Sequence, residues 1–261
     1  MNKTQINAIA GELLTAEKDK APVAPLTTRF PGITVPEAYA VQLEIIRRKV
    51  ASGAVIVGKK IGLTSKAMQD MFGVREPDYG HILNTAVIPE GQPVSMGTMI
   101  QPRVESEICF VLKQGLKGPG VNVAQVLSAT QGIIPSFEII DSRIKDWKIK
   151  VQDSIADNAS NAGVVLGGKI TRLRDIDLRL IGLVLEKNGE IVSTAAGAAV
   201  LGNPAEAVAW LANKLAEYGV DLKAGEFIMS GSLTAALSAE AGSSFKATFD
   251  HIGTVSVRFV K

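Results

Sequence analysis

Over the first quarter of the chain, apolar residues recur every three or four positions; beyond it they gather in short β-branched runs. Ile6, Ile9 and Leu13 share one face of a predicted first helix, with Thr4 as its cap. A Pro-containing link follows from Ala21 to Pro31. Thr34 and Glu37 have capping-box spacing and open a second helix that runs to about Val50. On it Tyr39, Leu43, Ile46 and Val50 fall at helical spacing, and Gly53 supplies a stop.

Strand signals then take over. Ala54–Gly58 is a β-branched run bounded by glycines, and Val104–Leu112 and Ile133–Asp141 are further strand candidates. Leu178–Lys187 and Glu190–Ser193 flank Asn188-Gly189, a pair suited to a type I′ hairpin turn. A helix opens at Asn203, with Pro204 at its first position and Gly219 beyond its end. Glu226–Ser230, Phe245–Phe249 and Thr254–Val260 complete the strands. Strands outnumber helices in this part without a regular βαβ alternation. The pattern predicts an α+β fold: a mainly helical region over residues 1–75 and a mixed or antiparallel β core over 76–261.

Composition narrows the chemistry. Among 261 residues there is one cysteine, Cys109, and there are two histidines, His81 and His251. A disulfide framework and a four-ligand zinc site are therefore excluded. A bound metal would have to rely on carboxylates, which favour Mg²⁺, Mn²⁺ or Ca²⁺. Hydrophobic residues make up 46%, enough for a sizeable core. A net charge of +2 argues against a nucleic-acid or membrane-surface role and leaves homo-oligomers open. No apolar run is long enough for a membrane span, and the first residues form an amphipathic pattern unlike a signal peptide, so a cytoplasmic location is expected.

The informative segment is Gln101–Leu112. In a strand, Glu105, Glu107, Cys109 and Val111 share one face, opposite Val104, Ile108, Phe110 and Leu112. Like charges on one face of a strand with apolar surroundings repel and resist desolvation. A divalent cation would remove both penalties; a solvated sheet edge is the alternative. Glu138 lies in another apolar run, on the face of Ile134, Ser136 and Ile140. It can pair with a lysine or arginine, yet three glutamates in two apolar strands fit an Mg²⁺ or Mn²⁺ site better.

At these residues the sequence becomes recognisable. PRVESEICFVL followed by IIPSFEIIDSR resembles the metal-binding motif of the fumarylacetoacetate hydrolase superfamily, and within it the 2-keto-4-pentenoate hydratase group. GKKIGLTSKAMQDMFGV, EPDYG, SRIKDWKIKVQDSIADNAS, VAWLANKLAEYG, SGSLT and IGTVSVRFV extend the similarity over nearly the whole chain. Asn158–Gly168 looks partly like hydratases of longer dicarboxylic substrates. The related 4-oxalocrotonate decarboxylases share the metal motif, whereas DWKIK leans towards the hydratases.

The resemblance implies a rolled mixed β-sheet core with an N-terminal helical region, and ring-like homo-oligomers. It implies that Glu105, Glu107 and Glu138 bind Mg²⁺ or Mn²⁺, that Lys60 and Asp78 are catalytic, and that Ser160, Gly231 and Ser232 contact substrate. It also implies a dienol or 2-keto acid substrate, 2-hydroxypenta-2,4-dienoate, hydrated to 4-hydroxy-2-oxopentanoate in aromatic degradation, and a possible complex with a pathway decarboxylase. Decarboxylation of 4-oxalocrotonate or hydration of a longer 2-oxo-dioate are the alternatives. On general exposure Lys60 would be a surface lysine, Asp78 a turn aspartate and His81 an exposed turn histidine. Cys109 suits packing, and Trp147 is a candidate pocket wall.

Overall fold

The computed structural model describes all 261 residues. In chain order it contains α1 (Lys3–Asp19), α2 (Leu26–Arg29), α3 (Val35–Ala51), β1 (Ile56–Gly62), α4 (Lys66–Phe72), β2 (Asp78–Leu83), β3 (Val87–Ile88), β4 (Val94–Ser95) and β5 (Arg103–Leu112). There follow α5 (Val123–Ala129), β6 (Thr130–Ile140), α6 (Val151–Ala156), β7 (Asn161–Leu166), β8 (Gly182–Lys187), β9 (Glu190–Ala196) and α7 (Pro204–Ala216). The chain closes with β10 (Phe227–Ser232), β11 (Leu237–Ser238), β12 (Ser244–Phe249) and β13 (Gly253–Val260). No helix is long and apolar enough to cross a membrane.

The larger sheet runs β2-β1-β10-β5-β6-β7-β3, with β11 added to β5; the smaller runs β4-β13-β12-β8-β9. Both sheets are mixed: β1 and β10 are parallel, as are β3 and β7 and β13 and β4, and the other pairs are antiparallel. The larger sheet curls on itself. Ile82, Cys109, Ile134, Met229 and Val164, from β2, β5, β6, β10 and β7, form one sealed apolar cluster inside the curl. On the opposite face of β5, Val104, Ile108, Phe110 and Leu112 join the main core with the helices and the smaller sheet. The alternation expected of Val104–Leu112 therefore separates two distinct apolar regions, and the glutamates stand on the inner one.

Local chemistry explains the elements and where they begin and end. Asn2, not Thr4, caps α1: its side chain accepts from Gln5 N at 2.9 Å and the Gln5 side chain returns a bond to Asn2 N. Thr4 lies one residue inside the first turn. In α3 the Thr34–Glu37 capping box forms as the spacing predicts. Its buried stripe is Ala38, Tyr39, Val41, Gln42, Ile45 and Ile46, while Leu43 and Val50 are each 42% exposed. The helix carries a polar Gln42 in its core-facing stripe, so the apolar pattern misplaced that face by one step. Tyr39 stacks on Tyr79 of β2 at 4.6 Å, fixing α3 against the sheet.

Strand β1 extends beyond the expected Gly58 through Lys59, Lys60 and Ile61. Two adjacent lysines read as a strand end, yet both are buried because alternation sends them to opposite charged partners. Lys59 meets Glu226 at 2.8 Å on one face, and Lys60 meets Glu138 on the other. The hairpin forms with Asn188 and Gly189 both at positive φ, 55° and 86°, as a type I′ turn requires. Its first strand begins at Gly182, not Leu178. Asn203 caps α7 through Ala205 N, and Pro204 occupies the first helical position.

Candidate metal centre

Strands β5 and β6 pair antiparallel with Glu105 opposite Glu138 and Glu107 opposite Ser136. One carboxylate oxygen from each glutamate lies within 4.8 Å of the others. Glu107 and Glu138 are sealed from solvent and Glu105 is half-buried. Half of the buried oxygens are anchored: Glu107 Oε2 accepts the Gly231 N–H at 2.7 Å, and Glu138 Oε1 accepts from Asn161 Nδ2 at 2.9 Å. The remaining oxygens, Glu107 Oε1 and Glu138 Oε2, have no hydrogen-bond partner. Lys60 Nζ is 3.1 Å from Glu138 Oε2, near enough for an ion pair but off the hydrogen-bonding direction.

Buried carboxylate oxygens without partners are rare because each forfeits its hydration. Burial pushes the Glu105 carboxyl up to about 7, against the pull of Lys60 and with repulsion from Glu138 and Asp78. Burial and the repulsion of Glu138 and Glu105 raise Glu107 well above the carboxylate range. Glu138 is also raised by burial, with Lys60 and Asn161 opposing. The three oxygen donors converge, two of them unsatisfied, and a hard divalent cation fits that set.

Lys60 points into the same space from β1. It is buried, donates to the Ala159 carbonyl at 3.1 Å and stands beside Glu138. Burial disfavours its ammonium, but Glu138, Glu105, Asp78 and Glu107 together outweigh that and raise its pKa. Asp78 is not in a turn. It begins β2, opposite Gly62 of β1, and is buried. Its Oδ2 accepts from Ser154 Oγ at 2.9 Å, and burial raises its pKa above the usual range. A Cβ at Gly62 would overlap the Asp78 carboxylate, so any larger residue there would displace it.

Ala159 presents its carbonyl to Lys60 from an unusual turn. Asn158, Ala159 and Ser160 all have positive φ, at 54°, 48° and 56°, a run costly for residues with a Cβ. The turn is clamped to β2: His81 N donates to Asn158 Oδ1 at 2.8 Å, and Asn158 Nδ2 donates to the His81 carbonyl at 2.9 Å. Ser160 Oγ donates to Asp157 Oδ2 at 3.3 Å, and Asp157 is paired with Arg143. Gly231 meets Glu107 by its backbone, while Ser232 Oγ turns to the Thr234 carbonyl at 2.8 Å.

His81 is not an exposed turn histidine. It is buried on β2, where burial and Lys59 lower its pKa to about 4. Gln42 Nε2 donates to the carbonyls of Tyr79 and Ile155, so Gln42 Oε1 accepts from His81 Nδ1, 3.1 Å away. The ring therefore braces α3 against β2. Cys109 is buried beneath the glutamates, as packing requires. Trp147 is half-buried, with Nε1 donating to the Gln101 carbonyl at 3.0 Å. Asn161, Ser154 and Asn158 lie in strings that match the family pattern but had no role read from them; their partners in space make them part of the site. A cleft of about 370 Å³ near Glu17, Met99 and Arg143 contains none of the three glutamates.

Residues 56–260, which hold every residue just described around the three glutamates except Gln42, match the fumarylacetoacetate (FAA) hydrolase C-terminal family. The chain belongs to the fumarylacetoacetate hydrolase family. It is 44% identical to 2-hydroxyhexa-2,4-dienoate hydratase of Comamonas testosteroni over 100% of this chain and 99% of that one. It is 48% identical to 2-hydroxypent-2,4-dienoate hydratase of Pseudomonas putida over 84% of this chain and 100% of that one. Its fold matches that of 4-oxalocrotonate decarboxylase from Pseudomonas putida G7, complexed with magnesium and adipate, at a TM-score of 0.97. That structure is 42% identical, with 100% of this chain and 99% of that one covered. The rolled mixed sheet with an N-terminal helical region is thus the family fold.

Proposed function

We propose that the protein is a metal-dependent hydratase that converts 2-hydroxypenta-2,4-dienoate to 4-hydroxy-2-oxopentanoate. The observation that carries the reading is the buried glutamate triad with two unsatisfied oxygens, facing Lys60 and Asp78. Hydratases of short 2-hydroxydienoates among the full-length relatives support the substrate class.

Glu105, Glu107 and Glu138 would hold the divalent cation, Mg²⁺ or Mn²⁺. When bound, the cation supplies Lewis-acid stabilisation of negative charge on the carboxylate and C2 oxygen of a 2-oxo acid. The reaction first moves a proton from the 2-hydroxyl to C5, giving 2-oxopent-3-enoate. Water then adds with its oxygen at C4 and a proton at C3. Asp78 carries these protons: its raised pKa brings it towards the range where it can both accept and donate. Ser154 holds the Asp78 carboxylate in place. Lys60, kept as an ammonium by the surrounding acids, offsets charge that builds on the C2 oxygen. The Ala159 carbonyl and Glu138 fix where that ammonium sits.

Product analysis by NMR after EDTA treatment and Mg²⁺ or Mn²⁺ addition tests the reading. Hydration restored by metal, and lost in Glu107→Gln, is the expected result. Full hydration by metal-stripped Glu107→Gln would overturn it. Decarboxylation of 4-oxalocrotonate is the second reading, favoured by the likeness to the decarboxylase fold; release of CO₂ without hydration of the dienol would select it.

A further inference from the structure

Gln42 is an amide in the core-facing stripe of α3, and it has no exposed surface. A buried amide is costly unless its donors and acceptor are used. All of them are used here. Nε2 donates one N–H to the Tyr79 carbonyl at 3.0 Å and the other to the Ile155 carbonyl at 2.8 Å, and Oε1 takes the His81 Nδ1 proton at 3.1 Å.

The two carbonyls show what this amide joins. Tyr79 follows Asp78 in β2, and Ile155 follows Ser154 in α6. Asp78 Oδ2 and Ser154 Oγ form the 2.9 Å contact that holds the carboxylate. A single NH₂ group therefore ties the two backbones together, one residue beyond that contact on each side. Both elements need such a tie. Strand β2 ends the larger sheet, so no further strand braces its outer edge, and α6 is only six residues long. The helix that supplies the tie is firmer: α3 has 17 residues, and Tyr39, three positions before Gln42, stacks on Tyr79.

We propose that Gln42 is a positioning residue for Asp78: its amide holds β2 and α6 at the separation where Ser154 meets the Asp78 carboxylate. For turnover this rests on the reading of Asp78 as the group that carries protons. Gln42 lies outside residues 56–260, the segment that matches the family, so the N-terminal helical region serves the reaction through this amide. The tolerance is small. A shift of about 1 Å between α6 and β2 takes a 2.9 Å hydroxyl–carboxylate contact beyond bonding range.

A double-mutant cycle between Gln42→Met and Ser154→Ala tests this, read in turnover and in urea unfolding of the Mg²⁺-loaded protein. Each single variant is expected to lower kcat about 10-fold, with KM and Mg²⁺ affinity within about twofold. The double variant is also expected about 10-fold down, not about 100-fold, because both substitutions break one contact. Its urea midpoint should fall by less than the sum of the single shifts. Gln42→Glu keeps the shape of the side chain, and its neutral carboxyl has one proton for two carbonyls. It should retain the fold if Gln42→Met does not, and give a smaller fall in kcat with the same coupling to Ser154→Ala. Additive losses in both readouts, or a fall in Mg²⁺ affinity as large as that in kcat, would overturn the assignment. Coupling in urea unfolding with kcat unchanged in every variant removes Asp78 from the chemistry and leaves the tie standing. Additive losses in a hydratase that Asp78→Asn inactivates do the reverse.

Discussion

Lys60 Nζ lies 3.1 Å from Glu138 Oε2, with side-chain exposures of 4% and 0%. One buried cation thus serves four acids, and removing it leaves them uncompensated. Lys60→Met is expected to lower kcat by about 10²- to 10⁴-fold. It should also destabilise the metal-free protein by about 3–5 kcal/mol at pH 8. The loss should shrink towards pH 5, where the Glu105 carboxyl, pushed up to about 7 by burial, is protonated and needs no partner. Urea unfolding at the two pH values checks this; a loss equal at both would show that the ammonium is not what the acids need.

The same raised carboxyls set the pH dependence of metal-free stability. Glu105 titrates at about 7 in the folded protein against 4.5 when free, so the folded state holds the extra proton between those values. Its contribution is complete below pH 4.5, falls as pH rises through the window and is gone above about 7. Metal binding needs the deprotonated form, so stabilisation by Mg²⁺ must grow over the same range. At a free concentration about a hundredfold above Kd the gain is about 2.7 kcal/mol, roughly 5–10 °C in Tm for a chain of this size. Thermal melts with Mg²⁺ or EDTA should show that shift at pH 8 and little of it at pH 5.

Gly231 combines two constraints in one residue. Its φ is 107°, and a Cβ there would overlap the Thr64 side chain. Its N–H is also what anchors Glu107. Gly231→Ala is expected to cost about 2–4 kcal/mol in chemical denaturation and to weaken Mg²⁺ binding. Thr64→Ser removes one of the clashing atoms but leaves the φ penalty, so the double variant should recover only part of the loss.

The elements of strong periodicity were legible: the α3 capping box, the type I′ hairpin at Asn188-Gly189, α7 from Asn203 and the two glutamate strands. Alternation alone placed Glu105 and Glu107 on one face of β5, opposite the main core. What was not legible depended on distant partners. Lys59-Lys60 reads as a polar break because their acids, Glu226 just before β10 and Glu138 in β6, lie far along the chain. Pro77-Asp78-Tyr79-Gly80 reads as a turn by composition, yet Asp78 to Gly80 pair with β1 as a strand, with Gly80 packed against the Asn158 carbonyl. The roles assigned to Lys60 and Asp78 came from family resemblance, and spacing alone would have left both on the surface. Asn158 stands in a string that matches the family pattern, but its role was not legible there, because a left-handed run held by two bonds to His81 is a property of the folded chain.

Asn158 is the residue whose removal best separates turn geometry from charge. Its amide makes two bonds to the His81 backbone and so holds three consecutive left-handed residues against β2. Asn also tolerates the left-handed region better than most side chains, whereas Ala does not. Asn158→Ala therefore orphans a buried N–H and a buried carbonyl and adds backbone strain, about 2–4 kcal/mol in all. The Ala159 carbonyl then loses its fixed place beside Lys60. Because the glutamates lie on other strands, metal affinity should change by less than about threefold, while kcat falls about 10-fold or more. A calorimetric Mg²⁺ titration beside a turnover assay reads both quantities. Parallel loss of metal binding and kcat would mean that the turn supports the whole centre, and not the position of the ammonium alone.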